Sequence, residues 1–183
     1  MINRLLAFIL LIILSPIFMI VAIILIVEDG FPVLFTQKRV GINYTFFKIY
    51  KFRSMKKDTP NVATHLLTNP DQYLLTIGKL IRKASLDELP NLINIIRGEM
   101  VFVGPRPALY NQDDLMKLRV ATGVDKLKPG ITGWAQINGR DEISIDIKVQ
   151  LEQEYLKNRS TLLDFQIIIR TFTNVLFSRG VSH

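Results

Sequence analysis

The stretch Leu5–Val27, which reads LLAFILLIILSPIFMIVAIILIV, is an unbroken apolar run of 23 residues. As a straight α-helix it would be about 34 Å long, which is enough to cross the hydrocarbon core of a bilayer. Ser15-Pro16 lies near its middle, and a proline there removes a backbone hydrogen bond and clashes with the preceding turn. The run therefore predicts a membrane-inserted helix that bends at Ser15-Pro16, and such a bend can return the chain to the face from which it entered.

Two other interpretations of this run are weaker. A signal peptide would have a shorter apolar part, and Val27-Glu28-Asp29-Gly30 offers no small-residue cleavage site. A buried helix of a soluble protein remains the alternative, although the run is longer than such a helix needs. We expect residues 1–28 to form the membrane-inserted segment and residues 29–183 to form one globular domain continuous with it.

Basic residues are concentrated beside the apolar run. The first 57 residues hold +6 of the formal net charge of +7. Lysine and arginine next to a membrane segment favour the cytoplasmic side and the anionic lipid surface, although any one of them also fits an ordinary solvated face. Nucleic acid is not expected as a partner, because no zinc-finger, helix-turn-helix or aromatic RNA-binding signature accompanies the charge.

Several kinds of site are excluded by composition. The chain contains no cysteine and two histidines, His65 and His183. Disulfides, thiolate catalysis and cysteine-ligated zinc are therefore excluded, and a histidine metal site is not expected.

Beyond the apolar run the sequence predicts a mixed, helix-rich α/β arrangement with a small β-hairpin. The predicted strands are 33–37, 44–52 and 101–103, the first two forming the hairpin; the predicted helices are 73–83 and 111–121; loop or turn chemistry is predicted at 56–68 and 128–133.

The C-terminal region predicts an amphipathic helix. Apolar residues recur there at helical spacing, namely Leu162, Phe165, Ile169, Phe172 and Leu176. This face fits a helix lying on a membrane surface, and a helix facing a protein core has the same period.

Two adjacent carboxylates, Asp87 and Glu88, occur in the segment 82–90, which reads RKASLDELP. Pro90 is best tolerated in a first helical turn, so the sequence predicts a helix that begins close to Asp87 and ends at Gly98. Both carboxylates then lie at the positive end of the helix dipole. A capping box from Ser85 to Glu88 is the competing register, and it is disfavoured because it moves Pro90 into the second turn. On local grounds alone, acids at a helix start are most often structural.

Several motifs, taken in order, resemble those of the monotopic phosphoglycosyl transferases, also called bacterial sugar transferases, in their minimal catalytic form. The likeness extends over nearly the whole chain. The matching pieces are Gln37–Gly41 (QKRVG), Lys51–Met55 (KFRSM), Ser85–Pro90 (SLDELP), Gly98–Met100 (GEM), Val103–Pro107 (VGPRP) and Lys128–Arg140 (KPGITGWAQINGR).

The resemblance implies a function. It is transfer of a sugar-1-phosphate from a UDP-sugar to a polyprenol phosphate, namely undecaprenyl phosphate, with Mg²⁺ as cofactor and UMP as product. Asp87 would attack the sugar-linked phosphate to give a covalent aspartyl phosphosugar, which the lipid phosphate then displaces. Asp87 and Glu88 would hold the metal. The resemblance also implies a re-entrant helix in one leaflet of the bacterial inner membrane, bent at Ser15-Pro16, with residues 29–183 as a catalytic domain on the cytoplasmic face.

The chemistry of the residues agrees with these roles. A carboxylate can form a covalent phosphoryl intermediate, and approach to a diphosphate requires cations and a hard, oxygen-binding metal. Our candidates for binding substrate are Lys51, Arg82, Arg106 and Arg140. Arg106 stands between two prolines that restrict its backbone, which suits a fixed phosphate contact, with a structural ion pair as the alternative. Arg140 after Asn138-Gly139 also fits a surface turn.

Two smaller predictions concern neighbours of the site. Lys51 and Phe52 alternate along a strand, so pleating should direct them to opposite faces. Glu152 stands where the family usually has an aspartate ahead of the tyrosine, here Tyr155, and this departure puts the local geometry in question.

Two other functional classes fit parts of the sequence. A membrane-anchored UDP-sugar hydrolase or phosphatase would pass the same aspartyl intermediate to water. A non-catalytic adaptor at the membrane surface would not depend on Asp87. The motifs concern phosphate, metal and nucleotide, so they do not specify the sugar.

Overall fold

The structure is a computed structural model that describes residues 1–60, 69–139 and 143–176. Eight α-helices and four strands are named here in chain order. They are α1 (Ile2–Ile13), α2 (Ser15–Asp29), β1 (Leu34–Val40), β2 (Phe46–Phe52), α3 (Thr76–Lys83), α4 (Leu92–Arg97), β3 (Val101–Val103), α5 (Asp113–Thr122), β4 (Gly130–Thr132), α6 (Trp134–Asn138), α7 (Ile145–Asn158) and α8 (Thr161–Leu176).

The apolar run forms two helices instead of one, and the predicted bend is confirmed. α1 and α2 meet at an angle of 60°, and Pro16 lies in the first turn of α2, where its missing N–H removes no helical hydrogen bond. Within the described residues no single helix is long and apolar enough to cross a bilayer, whereas this bent pair has the length and composition of a broken span or a re-entrant loop.

One face of the bent pair packs on the rest of the protein. Ala7 of α1 is fully buried in a cluster with Ile49 and Ile95. Leu25 of α2 is fully buried beside Phe52. The opposite face is apolar and exposed, through residues that include Ile2, Leu5, Ile13, Met19, Ile20, Ile23 and Val27.

The predicted hairpin is confirmed, with shifted strand ends. β1 and β2 are antiparallel, in register from Leu34 opposite Phe52 to Val40 opposite Phe46. The free edge of β2 is completed by the buried side chain of Asn94 in α4. Its Nδ2 donates to the Lys48 carbonyl (2.7 Å), and its Oδ1 accepts from the Tyr50 N–H (3.3 Å).

The prediction of an α-helix that begins near Asp87 is wrong in the type of helix. Residues Leu86–Asn91 form a 3₁₀ segment, and the α-helix starts only at Leu92. Pro90 explains the difference, because it has no N–H to donate to the carbonyl four residues before it. Ser85 adopts a left-handed backbone (φ 54°) and makes no side-chain cap, so the capping box is also absent. Gly98 ends α4 at φ 81°, as predicted.

The turn predicted at 128–133 is partly wrong. Residues 130–132 form β4, which pairs in parallel with β3, whose bounds were predicted correctly. The contact is close: a Cβ on Gly130 would lie 2.2 Å from the Gly104 nitrogen, so only glycine fits there.

The remaining helices agree in part with the sequence. α3 and α5 correspond to the predicted helices 73–83 and 111–121, with α3 starting three residues later. α6 and α7 were not predicted. Of the predicted loop 56–68, residues 61–68 lie outside the described residues.

The predicted C-terminal helix is confirmed as α8, and the apolar stripe over residues 162–172, where the structure describes its side chains, does not face the core. Leu162, Phe165 and Phe172 are each at least 60% exposed, whereas Ile167, on another face, is fully buried. The core-facing interpretation of that stripe is therefore wrong.

Candidate active site

The two predicted carboxylates lie on the 3₁₀ segment Leu86–Asn91, which packs against β2. Lys51 of β2 donates from Nζ to Glu88 Oε1 at 2.6 Å. Phe52, the next residue, is buried on the other face of the hairpin. The alternation predicted from the pleat is therefore present, and it directs one cation at the carboxylates.

Two of the other predicted cations also act on this site. Arg106, in the loop that follows β3, places Nη1 at 3.5 Å from Glu88 Oε1 and keeps 37% of its side chain exposed. Arg82 is in the last turn of α3, and its charge lowers the pKa of Asp87. Arg140 lies outside the described residues.

Glu88 is strongly held in its ionised form. Burial opposes its charge, but the positive charges of Lys51 and Arg106, with the hydrogen bond from Lys51, outweigh burial and lower the pKa of Glu88 to about 2. The charge of Arg39 acts in the same direction. Glu88 is thus held in its ionised form by the cations around it.

Asp87 has the opposite behaviour. Burial raises its pKa to about 6, and the adjacent Glu88 charge adds to this effect, against the attraction of Lys51, Arg82 and Arg106. Among the described residues, no side chain hydrogen-bonds or ion-pairs with the Asp87 carboxylate. The Asp87 carboxylate is partly buried, and its oxygens are more basic than those of an ordinary aspartate.

The loop Pro105-Arg106-Pro107 is fixed through its carbonyl groups. The Pro105 carbonyl accepts from the Gly130 N–H (2.9 Å). The Arg106 carbonyl accepts from Arg119 Nη2 (3.0 Å), and the Pro107 carbonyl accepts from Arg39 Nη1 (3.0 Å). Three separate parts of the fold thus hold three consecutive carbonyls, which fixes the backbone from which Arg106 reaches Glu88.

Sequence reasoning missed the roles of Arg39 and Arg119. Arg39 lies within a motif that carried the family resemblance, so its position was noticed without a function. Arg119 carries no local signal, because its partner Glu152 is 33 residues away. Glu152, the departure from the family pattern, is buried in α7 and bonds Arg119, which in turn donates to the loop.

A metal site made by the protein alone is absent from the part of the chain that the structure describes. No group of three or more histidine, aspartate or glutamate side chains occurs there. Mg²⁺, however, commonly binds one or two carboxylates and completes its shell with water and substrate phosphates. Asp87 and Glu88 fit an ion that arrives with a diphosphate, and they do not fit a preformed metal cage.

The sequence is similar to those of known proteins. A family model described as bacterial sugar transferase matches residues 1–178. The sugar transferase EpsL of Bacillus subtilis is 44% identical over 153 residues, which are 83% of this chain and 74% of that protein.

Two longer relatives have more specific names. The undecaprenyl-phosphate glucose phosphotransferase of Komagataeibacter xylinus is 39% identical over 186 residues, covering 93% of this chain and 34% of that protein. The UDP-glucose:undecaprenyl-phosphate glucose-1-phosphate transferase of Escherichia coli is 35% identical over 173 residues, covering 91% of this chain and 37% of that protein. The family model, the identities and the motifs lead to one conclusion: the chain belongs to the bacterial sugar transferase family.

Proposed function

We propose that this protein is a phosphoglycosyl transferase that moves a sugar-1-phosphate from a UDP-sugar to undecaprenyl phosphate and releases UMP. This would be the first membrane step in assembly of a bacterial glycan. The observation that carries the proposal is the pair of unlike carboxylates: a partly buried Asp87 whose pKa is raised, beside Glu88, whose pKa is lowered, with Lys51, Arg82 and Arg106 around them. The names of the relatives support the substrate classes.

In the first step an Asp87 carboxylate oxygen attacks the phosphorus that carries the sugar. A new oxygen–phosphorus bond forms, the bond from that phosphorus to UMP breaks, and UMP leaves with the electron pair. Lys51, Arg82 and Arg106 offset the negative charge that otherwise repels a carboxylate from a diphosphate. The product is an aspartyl phosphosugar.

In the second step a phosphate oxygen of undecaprenyl phosphate attacks the same phosphorus. The aspartyl bond breaks, the Asp87 carboxylate is regenerated, and the lipid carries a diphosphate-linked sugar. Splitting the reaction in this way allows one cationic site to serve two anionic substrates in turn.

Glu88 has a different role. It holds Lys51 and Arg106 beside the nucleophile, and with Asp87 it would hold Mg²⁺. Bound there, the ion would supply further neutralisation of the diphosphate charge.

The contacts of the bent helix pair support a re-entrant insertion. At the start of α1, Arg4 Nη2 donates to the Arg97 carbonyl at 3.4 Å. At the end of α2, the Glu28 carboxylate accepts from the backbone N–H of Thr76 (2.5 Å) and Ile77 (3.2 Å). Both ends are therefore fastened to the same body. Together with the basic residues beside the helices, this favours the cytoplasmic face of the inner membrane.

Intact-protein mass spectrometry tests the chemistry. We expect the purified protein with Mg²⁺ and a panel of UDP-sugars to gain the mass of one phosphosugar and to release one equivalent of UMP. Peptide mapping should place the adduct on Asp87. Adding undecaprenyl phosphate should remove the adduct and yield lipid-linked product.

The matched variants are Asp87→Asn, which should form no adduct, and Asp146→Asn. Asp146 is an exposed acid in the first turn of α7, so its variant should behave as the wild type. Rapid UMP release with free sugar phosphate and no need for lipid would identify a hydrolase. Full transfer by Asp87→Asn would contradict the proposed nucleophile.

A further inference from the structure

We propose that Arg119, held by Glu152, is a positioning residue that sets where the Arg106 guanidinium meets the substrate phosphate. This inference rests on the proposed function. Neither Arg119 nor Glu152 contacts the carboxylate pair, so they would act through the backbone of Arg106.

The geometry of the pair is that of an oriented fork. Arg119 Nε donates to Glu152 Oε2 at 2.8 Å, and Nη2 donates to Glu152 Oε1 at 2.5 Å. The second hydrogen of Nη2 is directed at the Arg106 carbonyl, 3.0 Å away. The bidentate pair fixes the plane of the guanidinium, and the plane fixes the direction of the third bond.

Burial makes this ion pair a weak source of stability. The side chains of Arg119 and Glu152 are 5% and 2% exposed. Removing two charges from water offsets most of their attraction, so a buried ion pair is often no more stabilising than apolar residues of the same size. An apolar pair would fill the space between α5 and α7, but it could not donate to the Arg106 carbonyl.

The loop itself needs an outside partner at this point. Pro105 and Pro107 have no N–H, so they cannot fix the loop by donating backbone hydrogen bonds. The Arg106 carbonyl is the middle of the three that are held, and the other two bonds come from Gly130 and Arg39. Loss of the Arg119 bond would remove the hydrogen bond to the backbone carbonyl of the residue that carries the guanidinium.

A double-mutant cycle of Arg119→Lys and Arg106→Ala tests the inference. Arg119→Lys keeps the positive charge, but its single nitrogen cannot reproduce the fork and the third bond together. We expect Arg106→Ala to lower kcat/KM for the UDP-sugar by about 100-fold and Arg119→Lys by about 10-fold. Because Arg119 acts through Arg106, the double variant should match Arg106→Ala alone.

A second readout does not depend on turnover. The affinity for UDP, measured by isothermal titration calorimetry, should follow the same non-additive pattern. Arg97→Lys is the control, since Arg97 is exposed and bonds Tyr50 away from the loop. Arg97→Lys should leave kcat/KM and the affinity for UDP unchanged, both in the wild type and in Arg106→Ala.

Folding is checked with thermal unfolding and with a second variant. Arg119→Met/Glu152→Met removes both charges together and keeps the volume, so it should unfold near the wild-type temperature and still lose about 10-fold in kcat/KM. If Arg119→Lys does not fold, this variant takes its place in the cycle with Arg106→Ala.

Two results would overturn the inference alone. The first is wild-type kinetics in a folded Arg119 variant. The second is a double variant in which the losses caused by the Arg119 substitution and by Arg106→Ala multiply, in a protein whose wild type is active. A wild-type protein that neither binds UDP nor releases UMP would instead overturn the proposed function, and the inference with it.

Discussion

Asp87 and Glu88 are adjacent in the chain, yet their surroundings give them opposite acid–base properties. Glu88 remains ionised because Lys51 and Arg106 outweigh its burial, and its pKa falls to about 2. Burial raises the pKa of Asp87 to about 6. Such a division is typical of paired carboxylates with different tasks, in which one acid anchors charge and the other reacts.

The raised pKa predicts that Asp87 destabilises the metal-free protein. Ionised Asp87 is less favourable in the folded state than in water, by up to about 3 kcal/mol for the shift from 3.8 to about 6. We expect Asp87→Asn to raise the unfolding temperature by several degrees at pH 8. The folded state binds the Asp87 proton more tightly, so the gain should shrink as pH falls through 6 and vanish near 4.

Thermal unfolding in detergent from pH 4 to 8, with a chelator present, measures this dependence. Asp146→Asn is the control and should show no comparable trend. A gain for Asp87→Asn that is equal at all pH values would mean that charge at Asp87 is not its cause.

Chemistry and motif together singled out Asp87, Glu88, Lys51 and Arg106 from the sequence, and the structure places these side chains together, while their functional roles stay predictions. The sequence did not predict which residues hold them in place. The Pro107 carbonyl is 68 positions from Arg39, and Glu152 is 33 positions from Arg119. Such contacts depend on how distant segments meet, and no local spacing encodes them.

The contact between α4 and β2 depends on one amide side chain. Asn94 satisfies two backbone groups of β2 and also donates to Glu99 Oε2 at 2.7 Å. It is fully buried. β2 carries Lys51, so this amide secures the strand that presents a cation to the site.

We expect Asn94→Leu to lower the free energy of unfolding by about 2–4 kcal/mol. The substitution is similar in size, but it leaves the Lys48 carbonyl and the Tyr50 N–H buried without a partner. Chemical denaturation measures the loss. Asn158→Leu removes an exposed asparagine at the end of α7 and should cost less than about 0.5 kcal/mol. Equal stability of the two variants would show that Asn94 does not secure β2.

The secondary structure shows where local patterns suffice. The hairpin, α5, α8 and the stop at Gly98 follow from apolar alternation, helical spacing and glycine. β4 could not be predicted, because a three-residue strand of Gly130, Ile131 and Thr132 has no period, and it depends on pairing with β3. α7 left a usable signal in Ser144, whose Oγ accepts from the Ile147 N–H.

The two ends of the bent helix pair predict how the protein meets the bilayer. Ile2 is the first residue of α1 and Phe31 follows the end of α2, and both are more than 70% exposed. The chain has no cysteine, so single cysteines can be introduced without background. We expect Ile2→Cys and Phe31→Cys both to react with an impermeant thiol reagent applied from the cytoplasmic side of inverted vesicles.

Ser15→Cys, at the bend, is the control for depth. It should be protected in intact vesicles and should react after detergent is added. Reaction of Ile2→Cys and Phe31→Cys from opposite sides would show a spanning segment and would contradict the re-entrant arrangement.

Fastening both ends of the bent pair to one body has a consequence for the lipid substrate. A helix tied at one end can slide or tilt to match a thinner or thicker membrane. In the proposed re-entrant arrangement the bent helix pair could not do so, because Arg4 and Glu28 hold its two ends. In that arrangement the height of Asp87 above the lipid tails would be set by the protein. At that height the polyprenol phosphate would reach the site by lateral diffusion within a single leaflet. Only its headgroup would need to leave the hydrocarbon layer.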